Sequence, residues 1–385
     1  MGGNYPELVC LKQEVTTKEK KMKNSTRRDI LKYGAAAGLT TGLAGLPTFA
    51  SASGKLKVGA VYVSPVSEIG WTKQHNLGVE AIKAEFGDNV ETTVIENIYM
   101  PQDAERVFRE LAASGHDLVI GTSFSHGTPM QKVAPRFPDV AFEHCSGIKH
   151  LDNLGTFEAK YYEGTYTAGV TAGHVSKSAK IGFIGGFPIP DIVGPANALL
   201  LGAQSVNPDT TCSVIFLNSW FDPGKEKEAA KALISQGCDV ICSMTDTATG
   251  VQVAGENDVW SIGYASDMAQ FGNGKHLTAF TLNWAPVYVQ AAKDVAAGTW
   301  VTKERWQGFA EGVVQMSPYN VNLSATVVAE AEKARESITA GSLHPYAGVL
   351  KDQDGNVRVE SGSVLSNGDI RGFNWFVEGM IGNMG

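Results

Sequence analysis

Short runs of apolar and β-branched residues recur along this chain, each followed by a polar break and a segment of helix length. Residues 115–123 read G-H-D-L-V-I-G-T-S and 138–146 read P-D-V-A-F-E-H-C-S. Later, 237–246 read G-C-D-V-I-C-S-M-T-D and 257–267 read N-D-V-W-S-I-G-Y-A-S-D. Two such runs with the segment between them have the grammar of a βαβ unit. Parallel strands covered by helices on both faces need no polar alternation, and these show none.

The later stretch echoes the earlier one. Gly59 in K-V-G-A-V corresponds to Gly182 in K-I-G-F-I, Gly78 to Gly202, Pro101 to Pro223 and Gly115 to Gly237, at an offset of 122 to 124 residues. Four landmarks in step identify two copies of a βαβαβαβ half. The expected fold class is α/β, with two Rossmann-like lobes and a functional cleft where they face each other.

In chain order, the first copy predicts strands at 57–63, 91–95, 117–120 and 140–143. Helices are expected from the loop after Thr72 to Phe86 and over 103–113, and G-T-S-F-S-H-G-T opens another. Residues 161–174, Y-Y-E-G-T-Y-T-A-G-V-T-A-G-H, read as a small-residue helix that packs closely and joins the copies. The second copy repeats the order over 180–267. The chain returns with a strand at 277–282, a corner at Asn283 and Trp284, and a helix at 286–297. A strand near 312–315, a helix at 325–340 and a hairpin at 352–356 follow. These late segments cross between halves, so the expected lobes are 53–178 with 275–305, and 179–274 with 306–385.

Residues 1–52 stand apart as a leader. T-R-R-D-I-L-K precedes an Ala/Gly/Leu-rich stretch, then Pro47 and the A-S-A at 50–52. That tripartite order is expected to be a twin-arginine export signal with its cleavage site, delivering the protein to the periplasm. Residues 1–21 precede a plausible start at Met22. The apolar stretch is too short and Gly-rich for a stable anchor, and no Cys follows the cleavage site, so the protein is not expected to be membrane-anchored. The leader holds eight of the 32 basic and four of the 40 acidic residues, leaving a net charge of −12 on the rest. Such a surface argues against nucleic acid or an anionic membrane as partner. Cys145, Cys212, Cys238 and Cys242 lack C-x-x-C spacing and read as small apolar packing residues.

Catalytic and cofactor motifs fail on inspection. G-F-I-G-G at 182–186 follows a strand but is not the dinucleotide fingerprint, and no acidic ribose ligand is placed for it. Glu143, His144 and Cys145 are strand neighbours that point to alternate faces, so they cannot chelate one metal. Asp352, Asp354 and Asn356 resemble a calcium loop but lack its twelfth-position Glu; a hairpin turn is the better reading. No cofactor, metal or enzymatic activity is expected.

What remains is a set of aromatic and polar residues at predicted carboxyl ends of strands, where open parallel sheets bind ligands. In the first copy these are Trp71, Ser123 and Phe124. The second copy supplies Asn197, Trp220, Asp246, Tyr264 and Asp267, and the returning strand ends in Asn283 and Trp284. By the offset, Asp246 is the counterpart of Phe124. A ring from one lobe and a carboxylate from the other are therefore expected to meet across the cleft.

The exported two-lobed chain resembles type I periplasmic solute-binding proteins, and within them the basic membrane protein family of ABC-importer receptors. The resemblance is carried by K-I-G-F-I-G-G, L-G-A-Q-S-V-N-P, the Y-Y-E-G-T-Y-T-A-G-V-T-A-G helix, P-D-V-A-F and G-Y-A-S-D, and spans roughly residues 57–376. It implies lobes that close on a hinge over a small molecule, a purine base or nucleoside, and a membrane permease as partner. An exported sensor of the same fold, signalling to a membrane receptor, is the alternative. Relatives that bind nucleosides have two carboxylates in a G-x-D-x-D segment and a Lys on the returning strand. This chain has Ala265 and Asp267 in the first and Asn283-Trp284 in place of the second. Trp71 stands near the stacking position. Charged groups for a ribose diol are thus missing, which shifts the expectation toward a free base or a similar flat heterocycle.

Overall fold

The apolar runs become buried parallel strands, and the segments between them become helices. A computed structural model describes residues 54–384; the expected export signal and its cleavage site lie outside the described residues. The first half lays down β1 (Leu56–Val61), α1 (Trp71–Phe86), β2 (Val90–Ile95), α2 (Pro101–Ala113), β3 (Leu118–Gly121), α3 (Gly127–Val133), β4 (Ala141–Cys145), β5 (Leu154–Ala159) and α4 (Tyr161–Val175). The second lays down β6 (Lys180–Gly185), α5 (Pro190–Gln204), β7 (Thr211–Phe216), α6 (Pro223–Ser235), β8 (Val240–Met244), α7 (Thr249–Glu256) and β9 (Trp260–Ala265). After them come β10 (His276–Leu282), α8 (Ala285–Ala296), β11 (Glu304–Gln307), β12 (Val314–Met316) and α9 (Ala325–Thr339). The tail adds a hairpin of β13 (Leu350–Lys351) and β14 (Val357–Val359), then α10 (Asn367–Arg371) and β15 (Met380–Ile381).

One sheet runs β2-β1-β3-β4-β5-β11 and the other β15-β7-β6-β8-β9-β10-β12. Neighbours are parallel throughout except β12, which lies antiparallel on β10. Proline opens α2, α5 and α6, where its fixed φ suits the first helical turn and its missing N–H costs nothing.

The echo has a packing cause. A Cβ on Gly59 would stand 3.0 Å from Leu111, and one on Gly182 would stand 2.7 Å from Ile241, so each glycine lets a side chain lie over its sheet. Gly78 similarly admits the Tyr288 ring of α8 onto α1, and Gly202 admits the Tyr166 carbonyl of α4 onto α5. The expected close-packed joining helix is α4: a Cβ on Gly169 would meet the Leu199 carbonyl oxygen at 2.1 Å. The four cysteines are free and buried, as their pattern suggested. The 352–356 segment is a turn in which Asp352 Oδ1 accepts from the Asp354 and Asn356 amides at 3.0 and 2.9 Å.

Three strands escaped the sequence reading, one of them the two-residue β15. β5 is L-G-T-F-E-A, with its polar Thr and Glu nonetheless fully buried, and β11 is E-R-W-Q, an edge strand with no apolar run. The expected lobe ranges also need correction. The strand at 276–282, grouped above with the first lobe, pairs with β9 in the second sheet. Only after it does the chain cross back, so that α8 packs on α1 and β11 joins β5. The third crossing follows β11 and carries the chain to β12. Residues 304–307 thus divide from those after them, and α4 packs on α5 and α9 of the second lobe.

Candidate functional site

Strand ends from both sheets converge on a cleft, the place where parallel sheets leave loops and helix N-termini free for a ligand. The first lobe lines it with Val63, Trp71, Thr122, Ser123, Phe124 and Ser146, and α4, packed on the second lobe, adds Tyr161. The second contributes Ile189, Asp191, Ile192, Trp220, Thr245, Asp246 and Tyr264. Trp71, Ser123, Phe124, Trp220, Asp246 and Tyr264, all expected from the sequence, are therefore brought together.

Trp71 is the first residue of α1 and follows Gly70, whose φ of 94° and ψ of −170° suit glycine alone. Its indole N–H donates to the Thr122 carbonyl at 2.8 Å, fixing the ring. Trp284 backs it edge-on at 5.8 Å, and Tyr264 of the opposite lobe faces it at 6.4 Å and 18° from parallel. Ser123 and Phe124 are held from beneath. His144 Nε2 donates to the Ser123 carbonyl at 2.8 Å, and His126 bridges the Thr122 amide and the Ile98 carbonyl. Burial lowers both imidazole pKa values to about 4, so they brace the loop as neutral groups at neutral pH.

Asp246 is 3% exposed, and its carboxylate reaches across to the first lobe. It accepts from the Ser64 hydroxyl and lies 3.4 Å from the Thr72 amide. Burial raises its pKa, opposed by these Ser64 and Thr72 hydrogen bonds. Ser266 makes a second bridge, accepting from the Gly70 amide at 2.9 Å and from the Gln74 side chain at 2.7 Å. Ala265, at φ 62°, turns the chain so that Ser266 can do this. These contacts bridge the two lobes.

The remaining expected residues lie elsewhere, which corrects the sequence reading. Asn197 is buried in α5, where it accepts from the Val377 amide and donates to the Trp375 carbonyl, both at 3.0 Å, tying down the tail. Asp267 is exposed and accepts from the Ala269 amide at 3.0 Å. Asn283 accepts from the Ala285 amide at 3.2 Å as α8 begins. Trp284 is 1% exposed and stacks on His75 at 5.1 Å, one layer behind the cleft. Asp267, Asn283 and Trp284 were expected from strand-end position and the resemblance, and Asn197 from its place on the helix opening the second copy; small polar residues in such places also cap turns and helices.

Ser146, Tyr161 and Asp191 were missed. Asp191 had a usable signal, because the offset between copies carries Gly70 onto Ile192, beside it. Among the described residues no group of three or more His, Cys, Asp or Glu is arranged to hold a metal ion, and no helix is long and apolar enough to cross a membrane.

Residues 55–345 match the family model described as Bmp, ABC transporter substrate-binding protein PnrA-like. The chain belongs to the Bmp family. Among Bmp relatives, a purine-binding protein of Brucella abortus is 43% identical over 331 residues, covering 86% of this chain and 94% of that one. A protein of Haloferax volcanii named as an ABC transporter glucose-binding protein is 36% identical over 288 residues, 75% of this chain and 73% of that one. A solute-binding protein structure from Aeropyrum pernix superposes with a TM-score of 0.66 at 18% identity, covering 77% of this chain and 93% of that one, a likeness of fold. Two lobes with a cleft between them are the type I periplasmic binding fold, and the Bmp family comprises solute-binding receptors of ABC transporters, not enzymes.

Proposed function

We propose that this Bmp-family protein is the periplasmic receptor of an ABC importer for a purine base or a similar planar heterocycle, which it captures between closing lobes and passes to a membrane permease. The observation that carries this reading is the pair of near-parallel rings, Trp71 and Tyr264, one on each lobe and 6.4 Å apart. A flat ring in contact with both faces needs roughly 7 Å between them, so a small opening of the cleft admits one. The similarity to a purine-binding protein supports the same ligand class. A base is favoured over a nucleoside, because Ala265 is buried and apolar, Asp267 faces solvent, and Asn283 is engaged at a helix start.

Calorimetry with adenine, guanine, hypoxanthine, adenosine, inosine and glucose tests the proposal. Free bases are expected to bind, and Trp71→Ala to weaken all of them by roughly 1–3 kcal/mol through lost stacking. Binding is also expected to shrink the radius of gyration in small-angle scattering, as hinge closure requires. Glucose as the single bound compound would sink the heterocycle reading. An unchanged radius at saturation would count against closure.

The periplasmic location is proposed from the leader. A double Arg27→Lys, Arg28→Lys variant is expected to remain inside the cell. Full periplasmic yield of that variant would point to another export route.

A further inference from the structure

We infer that Asp191 and Tyr161, with Glu158 behind them, form the polar end of the cleft and recognise an N–H donor beside a ring acceptor on the edge of a planar ligand. This rests on the heterocycle reading above and names the chemistry of its recognition. Asp191 stands in the first turn of α5, Tyr161 opens α4, and Glu158 lies near the end of β5. The site therefore joins both lobes.

Two polar atoms on this wall lack a well-formed hydrogen bond. Tyr161 is 4% exposed and lines the cleft, yet its hydroxyl makes no well-formed hydrogen bond. Asp191 lines the same cleft, and its buried Oδ2 accepts no well-formed hydrogen bond, although Ser146 and Glu158 lie close to the carboxyl. Asp246 differs, since Ser64 and Thr72 already donate to it. A buried acceptor and a buried hydroxyl left unpaired are costly, and a bound group that satisfies both gains that energy as affinity. A heterocycle edge with an N–H next to an unprotonated ring nitrogen supplies both partners: the N–H donates to Asp191 and Tyr161 donates to the ring nitrogen.

The surrounding charges support an acceptor role for Asp191. Burial pushes the Glu158 pKa well up and that of Asp191 to about 6. Facing the pair are Cys145 of β4, Tyr161 of α4, Tyr264 of β9 with Asp246 beyond it, and Arg371 of α10. Ser146 Oγ donates to Glu158 over a long 3.4 Å. Arg371 is the one cation in this set, and it is shared with Glu304 and with the Gly147 carbonyl at 2.8 Å. Two ionised carboxylates here would repel, and burial favours the protonated form of Glu158 more strongly, which leaves Asp191 as the acceptor.

Calorimetry of adenine and hypoxanthine with the full-length mature protein, at pH 5, 6, 7 and 8, tests this. Asp191→Asn is expected to weaken both bases by roughly 10- to 100-fold at pH 7, as loss of a charged acceptor implies. Tyr161→Phe should weaken them by a few-fold. Wild-type affinity should fall below pH 6, by up to about tenfold per unit as Asp191 takes up its proton, while Asp191→Asn shows no such fall. Circular dichroism checks folding, and should Asp191→Asn fail to fold, Tyr161→Phe and the wild-type pH profile decide. Variants with wild-type affinity and pH profile would overturn the assignment while leaving the heterocycle reading intact. A wild-type protein that binds neither base overturns that reading itself, and this inference with it.

Discussion

Arg305→Ala is expected to remove roughly 3–5 kcal/mol of folding stability at neutral pH, because it strands a buried carboxylate. Glu143 is 2% exposed in the centre of the first sheet. Arg305 of β11 grips it with two hydrogen bonds, at 2.7 and 3.1 Å, and the Trp300 indole donates a third at 2.8 Å. Burial pushes the Glu143 pKa up, and Arg305 is the largest influence opposing that rise. Without the guanidinium the carboxyl rises further. The folded state then holds a proton that the unfolded chain releases, so stability falls as pH climbs through the unfolded pKa toward the folded one. The deficit should therefore shrink on acidification. Urea unfolding of Arg305→Ala at pH 5 and pH 7, beside the Arg305→Ala, Glu143→Gln double variant, measures this. The double variant should recover much of the loss at pH 7, and a single-variant deficit that does not vary with pH would contradict the account.

The same pair explains what the sequence hid. The strands of the two copies were legible because apolar β-branched runs such as L-V-I-G and V-I-C-S-M need no partner chemistry to be recognised. β11 was not, since it holds its place through Arg305 on Glu143 and through parallel pairing with β5. Neither is a local property of E-R-W-Q. The glycine echo was readable for the opposite reason. Close packing at Gly59 and Gly182, or at Gly78 and Gly202, repeats in both halves, and repetition is visible without coordinates.

Site residues divide along similar lines. Trp220, Asp246 and Tyr264 sit at strand ends or in the loops after them, and Trp71 opens α1 just past such a loop, so topology alone points to them. Trp284 obeys the same rule but turns inward onto His75, a choice made by packing of α8 against α1. Asp191 and Tyr161 are helix-start residues, and the atoms they leave without a well-formed hydrogen bond appear only when the two lobes are brought together. Asp246 lines the cleft, but its partners are not the expected ones. Sequence reasoning aimed its carboxylate at the ligand, whereas the structure aims it at Ser64 and Thr72 of the other lobe.

That change of partner decides what Asp246 does for selectivity. As a ligand contact, Asp246 would sort one purine from another. As a bridge between lobes it stabilises the closed form whatever ligand is inside, and apparent affinity scales with the closed fraction. Asp246→Ala takes a charged acceptor from the Ser64 hydroxyl and the Thr72 amide in a closed cleft, leaving Ser64 with the Thr72 hydroxyl at 2.6 Å. The combined cost is roughly 2–4 kcal/mol, or about thirtyfold to near a thousandfold in affinity. All bound heterocycles should weaken by the same factor. Folding stability should change little, because the side-chain partners of Asp246 are on the opposite lobe. Gly70→Ala offers an independent route to the same state: its Cβ would stand 2.2 Å from Asp246 Oδ1, at a backbone φ of 94° that disfavours a side chain. Both variants should shift the scattering profile at sub-saturating ligand toward the open form. A loss confined to one base, with the others binding as in wild type, would return Asp246 to the role of a direct ligand contact.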